Sequence, residues 1–94
     1  MTKKYEMMIL LTEEFTDNEV KKWLVNCIKN LKIFKIFDVT ITLRGKQKLA
    51  YSIKNKQKGH YIHLYFFGTP EYIKTFLNEL ELDSKVLRHI LIRK

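Results

Sequence analysis

The sequence predicts an α+β fold in which four strands and two helices follow one another as β-α-β-β-α-β. Three observations predict it: two segments repeat apolar residues with a helical period, four segments alternate with a period of two, and turn or capping residues separate most of them. The 94 residues are 46% hydrophobic and 30% charged, which suits one domain over residues 1–94 and is too short for two.

The first strand and the first helix come directly from these periods. Tyr5 to Leu11 alternates with apolar residues on both faces, as a central strand does. Thr16-Asp17-Asn18-Glu19 matches a capping box with Thr16 as the N-cap. The apolar stripe that follows has helical spacing and consists of Val20, Trp23, Leu24, Cys27, Ile28 and Leu31. Cys27 and Trp23 are therefore expected to pack in the core and not to serve thiol chemistry or base stacking.

A long hairpin follows the helix. Its first strand is predicted to have one buried face, formed by Phe37, Val39, Ile41 and Leu43. Gly45 interrupts the alternation and indicates a bulge or a sharp bend, after which the pattern resumes to Ile53. The polar segment Lys54 to Gly59 is predicted to be the hairpin loop, and His60 to Gly68 the return strand.

The second helix and the last strand complete the chain. Thr69 is predicted to be the N-cap and Pro70 the first helical residue. The last strand runs from Val86 to Arg93, with Val86, Ile90 and Ile92 expected on one side. With right-handed crossovers, this order gives a ferredoxin-like split βαβ sandwich: a four-stranded antiparallel sheet with both helices on one face.

Helices on one face leave the other face of the sheet uncovered. Residues of the first and third strands fall on it, and we expect them to bind a partner protein: Met8, Leu10, Tyr61, His63, Tyr65 and Phe67. An apolar patch of this size on a monomer is typical of an interface. The alternative is that side chains from loops or chain ends fold over it. Aromatic residues on a sheet face also allow a second function, a stand-alone single-stranded RNA-binding domain like an RNA-recognition motif.

The basic charge is concentrated in one segment. Residues 1–40 hold seven lysines against six acids and residues 61–94 hold five basic residues against four acids, whereas residues 41–60 hold six basic residues and no acid. Such a segment favours contacts with phosphate. The alternative is a set of solvated lysines that keep an exposed hairpin soluble.

Other classes of function find little support. The single cysteine cannot form an intramolecular disulfide, and the apolar run at Met7 to Leu11 is too short for a signal-peptide core or a membrane span. His60 and His63 are three apart on a strand, so they point to opposite faces, and no metal site is predicted. Acylphosphatases share the fold but need an arginine after the first strand, where this chain has "TEEFTDN". We expect no catalytic residue and no cofactor.

Three separate motifs resemble one family. "RGKQKLAYSIKNKQKGHY" resembles the signature of bacterial-type small-subunit ribosomal protein six, with Leu-Ala-Tyr, isoleucine, a basic loop and Gly-aromatic in order. "KYEMMILL" is similar to that family's Tyr-Glu first strand, and "DSKVLRHILIRK" to its Asp-x-x-Val-Leu-Arg final strand. The chain departs from the family at Ser52, where proline is most frequent, and at Gln47 and Lys48, where arginines are common.

The resemblance implies a non-enzymatic constituent of the small ribosomal subunit, without a membrane or a small-molecule substrate. It implies binding to the central domain of small-subunit (16S-type) ribosomal RNA as a heterodimer with ribosomal protein eighteen. Carried onto this chain, the RNA-binding candidates are Lys3, Lys4, Arg44, Lys46, Lys48, Lys54, Lys56, Lys58, Arg88 and Arg93. The preference for lysine and isoleucine indicates an AT-rich genome. The expected location is therefore a ribosome of the bacterial cytoplasm or of an organelle, with the plastid favoured.

Overall fold

A computed structural model describes residues 1–54 and 56–94 of the chain. The elements are β1 (Lys3–Thr12), α1 (Asp17–Ile33), β2 (Phe37–Ile53), β3 (Lys56–Gly68), α2 (Pro70–Leu82) and β4 (Val86–Arg93). The predicted β-α-β-β-α-β order is therefore confirmed.

The strands form one antiparallel sheet in the order β2-β3-β1-β4, with β1 and β3 at its centre. One face of the sheet packs against the two helices and encloses the main core. The largest side chains in that core are almost fully buried and come from both layers: Met7, Ile9, Leu11, Leu31, Ile62, Leu64, Phe66 and Phe76. The other face, which we call the open face, carries the remaining positions of the central strands.

The two helices begin where the sequence predicts but are capped differently. The hydroxyl of Thr16 accepts a hydrogen bond from the Glu19 backbone N–H at 3.2 Å, and the Glu19 carboxylate accepts one from the Thr16 N–H at 3.0 Å. This reciprocal pair confirms the predicted capping box. Thr69 occupies the N-cap of α2, but its side chain makes no capping hydrogen bond. Pro70 begins α2 as predicted.

The first half of strand β2, up to Gly45, contains two irregularities, of which the sequence predicts one. Gly45 has φ +80°, and the register with β3 shifts between Leu43 and Gly45, which confirms the predicted bulge. A second shift lies between Phe37 and Thr40, where Asp38 has φ +53°. Because this bulge resets the alternation, Phe37 lies opposite Phe67 on the open face. The prediction that Phe37 lies on the buried face is therefore wrong.

The predicted hairpin loop, Lys54 to Gly59, is mostly strand. Lys54 is in a turn with φ +50° and β3 already begins at Lys56, while Asn55 lies outside the described residues. Gly59 is buried within β3, and a Cβ atom there would lie 2.5 Å from Cδ1 of Leu10. Gly59 is therefore required by the close approach of β1 and not by a turn.

The predicted faces of β4 are also wrong. The register between β1 and β4 shifts at Leu10/Leu11, where Leu10 lies opposite Arg88 and Leu11 opposite Val86. The extra residue resets the alternation, so Val86 packs in the main core, whereas Ile90 and Ile92 lie on the open face with exposures of 41% and 50%.

Candidate nucleic-acid and partner interfaces

A segment of β2, Leu49–Ile53, crosses one half of the open face, and we call it the strap. Between the pairs Lys48/Lys58 and Ile53/Lys56, β2 advances five residues while β3 advances only two. The surplus lets the strap leave the ladder and pack over the sheet. Leu49 is buried against Leu10 and Leu87 in a second, smaller apolar cluster.

Two hydrogen bonds join the strap, and Lys54 directly after it, to β4. The guanidinium of Arg88 donates to the hydroxyl of Tyr51 at 3.0 Å, and the ammonium of Lys54 donates to the backbone carbonyl of Val86 at 3.3 Å. The prediction of a fully open face is therefore wrong for its distal half, the half near Thr12. Leu10 is only 4% exposed, and Tyr61 packs against the same cluster.

The proximal half of the open face, near Lys3, carries a polar network centred on Glu6. The ring Nε2 of His63 lies 2.5 Å from Oε2 of Glu6, and the hydroxyl of Tyr65 donates to the same oxygen at 3.3 Å. The ammonium of Lys94 lies 2.7 Å from Oε1. Hydrogen bonds from Lys94 and then from His63, which outweigh the partial desolvation of the carboxyl, lower the pKa of Glu6 from 4.5 to about 2.

The aromatic residues of this half are largely engaged with one another. The rings of Phe37 and Phe67 stack with centroids 5.8 Å apart, and the ammonium of Lys4 lies 6.0 Å from the Phe67 centroid. His63 stacks on Tyr65 at 5.0 Å and is only 8% exposed. Since these rings are stacked or hydrogen-bonded within the chain, the geometry does not favour the alternative of base stacking along the sheet.

The predicted RNA-binding residues lie at two ends of the molecule. Lys3, Lys4 and Arg93 lie where β1 begins and β4 ends, whereas the hairpin residues lie near Thr12, where β1 ends. Ten residues of strand separate the two ends by about 30 Å. The structure therefore does not bring the ten candidates together into one patch.

Four of the candidates already make hydrogen bonds or ion pairs within the chain. Lys54 and Arg88 make the two bonds beside the strap, and Arg44 lies 3.4 Å from Nδ1 of His63. Lys56 forms an ion pair with Glu14, which lowers the pKa of the Glu14 carboxyl and raises that of the Lys56 ammonium. An RNA phosphate would have to compete with these contacts.

Three further lysines form a group that we call the hairpin flank: Lys46, Lys48 and Lys58. Lys46 lies opposite His60 and Lys48 directly opposite Lys58, so all three share the side of the hairpin that continues the helix-bearing face. Each of the three is exposed. Among the described residues, none of them makes an ion pair or a side-chain hydrogen bond.

Cys27 and Trp23 pack in the core, as the sequence predicts. Cys27 is buried, and desolvation raises the pKa of its thiol to about 12. Trp23 donates its ring N–H to the Asp83 carboxylate at 2.8 Å across the two helices. In the described part of the chain, no three His, Cys, Asp or Glu residues are grouped to hold a metal ion.

Neither described helix has the length and apolar character needed to cross a membrane.

Comparison with known proteins identifies the family. Residues 4–93 match the family model described as Ribosomal protein S6. The chain is 49% identical over 94 residues to small ribosomal subunit protein bS6c of Phaeodactylum tricornutum, and the match covers 100% of this chain and 96% of that protein. The chain belongs to the ribosomal protein S6 family.

A second relative and one solved structure are also similar to the chain. The chain is 45% identical over 93 residues to bS6c of Trieres chinensis, with 99% of this chain and 97% of that protein covered. The crystal structure of 30S ribosomal protein S6 from Thermotoga maritima has a TM-score of 0.91 at 20% identity, with coverage of 100% of this chain and 89% of the other. That structure confirms the predicted fold.

The family also confirms several expectations from the sequence. Ribosomal protein S6 is a structural, non-enzymatic component of the small ribosomal subunit, as the three motifs predicted. The relatives named bS6c agree with the predicted plastid or bacterial type of ribosome.

Sequence reasoning missed four residues of these interfaces. Leu49 and Ile53 were predicted as ordinary strand positions, yet they cover the distal half of the open face. Glu6 and Lys94 were given no role, yet they form the polar centre of the proximal half. The available signal was Glu6 itself, a carboxylate within the apolar strand KYEMMILL, because a charge on a central strand needs partners.

Proposed function

We propose that the chain binds the central domain of small-subunit (16S-type) ribosomal RNA together with ribosomal protein eighteen. The RNA contacts the hairpin flank, and the partner protein covers the proximal half of the open face. Membership of the ribosomal protein S6 family supports the setting, and the distribution of charge supports the division of the surface.

One observation carries the RNA part of the proposal. Lys48 and Lys58 lie directly opposite each other in the ladder, and like charges so placed destabilise a hairpin. A phosphate between them would turn this repulsion into two attractive contacts. Lys46, two residues along the same face, extends the positive surface. Lysines act as point charges, so recognition is expected from the position of the RNA backbone and not from base edges.

The proximal half of the open face suits a protein partner. It exposes large apolar side chains beside a polar centre, with Phe37 at 48% and Ile92 at 50% exposure. Of the predicted partner-binding residues, Met8, Tyr65 and Phe67 remain partly exposed, whereas His63 is buried within the Glu6 network. Leu10 and Tyr61 are expected to contact the partner only if the strap moves.

The proposal is tested by titrating the protein on a central-domain fragment of small-subunit ribosomal RNA, with and without ribosomal protein eighteen, at several salt concentrations. Replacing Lys46, Lys48 and Lys58 with glutamine should lower the slope of log affinity against log salt by about 2 to 3, because each lost phosphate contact is worth about 0.7 to 0.9. The matched control replaces three exposed helical lysines, Lys22, Lys29 and Lys74, and should change the slope little.

Three outcomes would contradict the proposal. Equal losses from the two triple variants would mean that total charge, and not the hairpin flank, attracts the RNA. If ribosomal protein eighteen does not strengthen RNA binding, the partner has no place in the proposal. Tight binding to short single strands without the partner would favour base stacking instead.

A further inference from the structure

We infer that Glu6 is the receptor for a basic side chain of the partner protein, and that Lys94 occupies this place in the free chain. The inference rests on the proposed function, because it names the contact by which the proximal half of the open face recognises that partner. The occupant is an arginine or lysine flanked by apolar side chains.

The two oxygens of Glu6 are held in different ways. Oε2 is bound by His63 and Tyr65, both from β3, with Tyr65 directly opposite Glu6 in the ladder. These contacts belong to the centre of the sheet and fix the carboxylate. Oε1 is bound by the ammonium of Lys94, which follows β4 and has a side chain that is 47% exposed. A cation from outside can therefore replace Lys94 without disturbing the contacts to Oε2.

Arg44 strengthens the fixed side of this arrangement. A guanidinium has only donors, so its contact with Nδ1 of His63 at 3.4 Å makes that nitrogen the acceptor. The ring proton then lies on Nε2 and is donated to Glu6. The carboxylate keeps its negative charge and its orientation when Lys94 leaves, and a negative charge fixed in this way is ready to bind a second cation.

The charges around Glu6 indicate a protein and not RNA. The Glu6 carboxylate would repel a phosphate at the centre of the proximal half. A basic side chain is attracted there but repelled by Lys4, which lies over Phe67, and by Arg44, which lies beside His63, so the single favourable position sets the register of the partner. Exposed Phe37 and Ile92 lie on the same face and would receive the apolar neighbours of that side chain. Arginine is favoured, because its planar group also stacks on aromatic rings.

The test measures, by calorimetric titration, the affinity of the full chain for its cognate ribosomal protein eighteen in two single variants and in the double variant that combines them. Glu6→Gln keeps an oxygen that can accept from His63 and Tyr65 but removes the charge. It should weaken binding about tenfold or more. Lys94→Met removes the competitor for Glu6 and keeps most of the apolar stem, so it should leave binding unchanged or tighten it. The double variant should bind as weakly as Glu6→Gln.

The outcomes separate this inference from the proposed function. If the wild-type chain binds and Glu6→Gln binds equally well, Glu6 is not the receptor, while the heterodimer stands. If Lys94→Met loses as much affinity as Glu6→Gln, Lys94 itself contacts the partner and the exchange is refuted. Should Glu6→Gln fail to fold, Lys94→Met decides alone, because retained or tighter binding supports the exchange and lost binding overturns it. No binding by the wild-type chain would overturn both the proposed heterodimer and this inference.

Discussion

Replacing Leu49 with alanine tests whether the strap is an independent cooperative unit on the open face. Leu49 is only 7% exposed, and it packs against Leu10 and Leu87, away from the main core. The change removes three carbon atoms from this cluster and leaves the helices and their contacts intact. We expect the strap to separate from the sheet more often, while the rest of the fold persists.

The magnitude follows from the size and position of the cluster. Three buried carbons are worth about 2 kcal/mol in transfer free energy, and a cavity that cannot close would raise the cost of Leu→Ala towards 5 kcal/mol. The strap lies on an edge strand with no layer above it, so the site can collapse or open. We therefore expect a loss of about 2 kcal/mol for Leu49→Ala. Leu64 is 0% exposed between the sheet and the helices, so Leu64→Ala should lower the free energy of unfolding by more than Leu49→Ala does.

Denaturant unfolding and native-state hydrogen exchange measure this difference. Leu49→Ala should reduce exchange protection in the strap and at Lys54 more than in β1. The matched control is Leu43→Ala, on the same strand but 47% exposed, which should cost well under half as much. A loss no greater than that of the control would show that Leu49 does not hold the strap down. An equal loss of protection throughout the sheet would show that the strap unfolds only with the whole protein.

Two further changes test the helix cap and the Glu6 network. Thr16→Ala should lower the free energy of unfolding by about 1 kcal/mol, because it breaks the capping box. Thr69→Ala should lower it clearly less, because the Thr69 side chain makes no capping hydrogen bond. Equal losses for the two variants in denaturant unfolding would contradict this. The pKa of Glu6 is about 2 in the folded chain and 4.5 ordinarily, so its stabilisation is present above pH 4.5 and is lost as the pH falls towards 2. The melting temperatures of wild type and Glu6→Gln should therefore converge over that range, and a constant difference would refute the assignment.

The sequence predicts correctly those parts of the fold that depend on residues close together in the sequence. The capping box at Thr16, the helix that follows it, the bulge at Gly45 and the order of elements are all confirmed. Each depends on residues a few positions apart, where spacing alone fixes the geometry.

Errors arise wherever an extra residue resets the alternation of a strand. Bulges at Asp38 and at Leu10/Leu11 reverse the faces predicted for Phe37, Ile90 and Ile92. A shift of one residue exchanges the two faces of a strand, and neither bulge contains a glycine that would reveal it. The strap is a larger case of the same effect, because its position depends on a mismatch between β2 and β3 that no local pattern records.

Under the proposed function, the strap also explains how the chain keeps two binding surfaces separate. It lies between the hairpin flank and the proximal half of the open face, and it closes the apolar cluster of Leu10 and Leu87 that would otherwise join them. By holding the hairpin against the sheet, it fixes Lys48 and Lys58 in position before any RNA arrives. Fixing them in advance reduces the entropy lost on binding. Under the proposed function, weakening the strap through Leu49→Ala should therefore reduce RNA affinity even though Leu49 carries no charge.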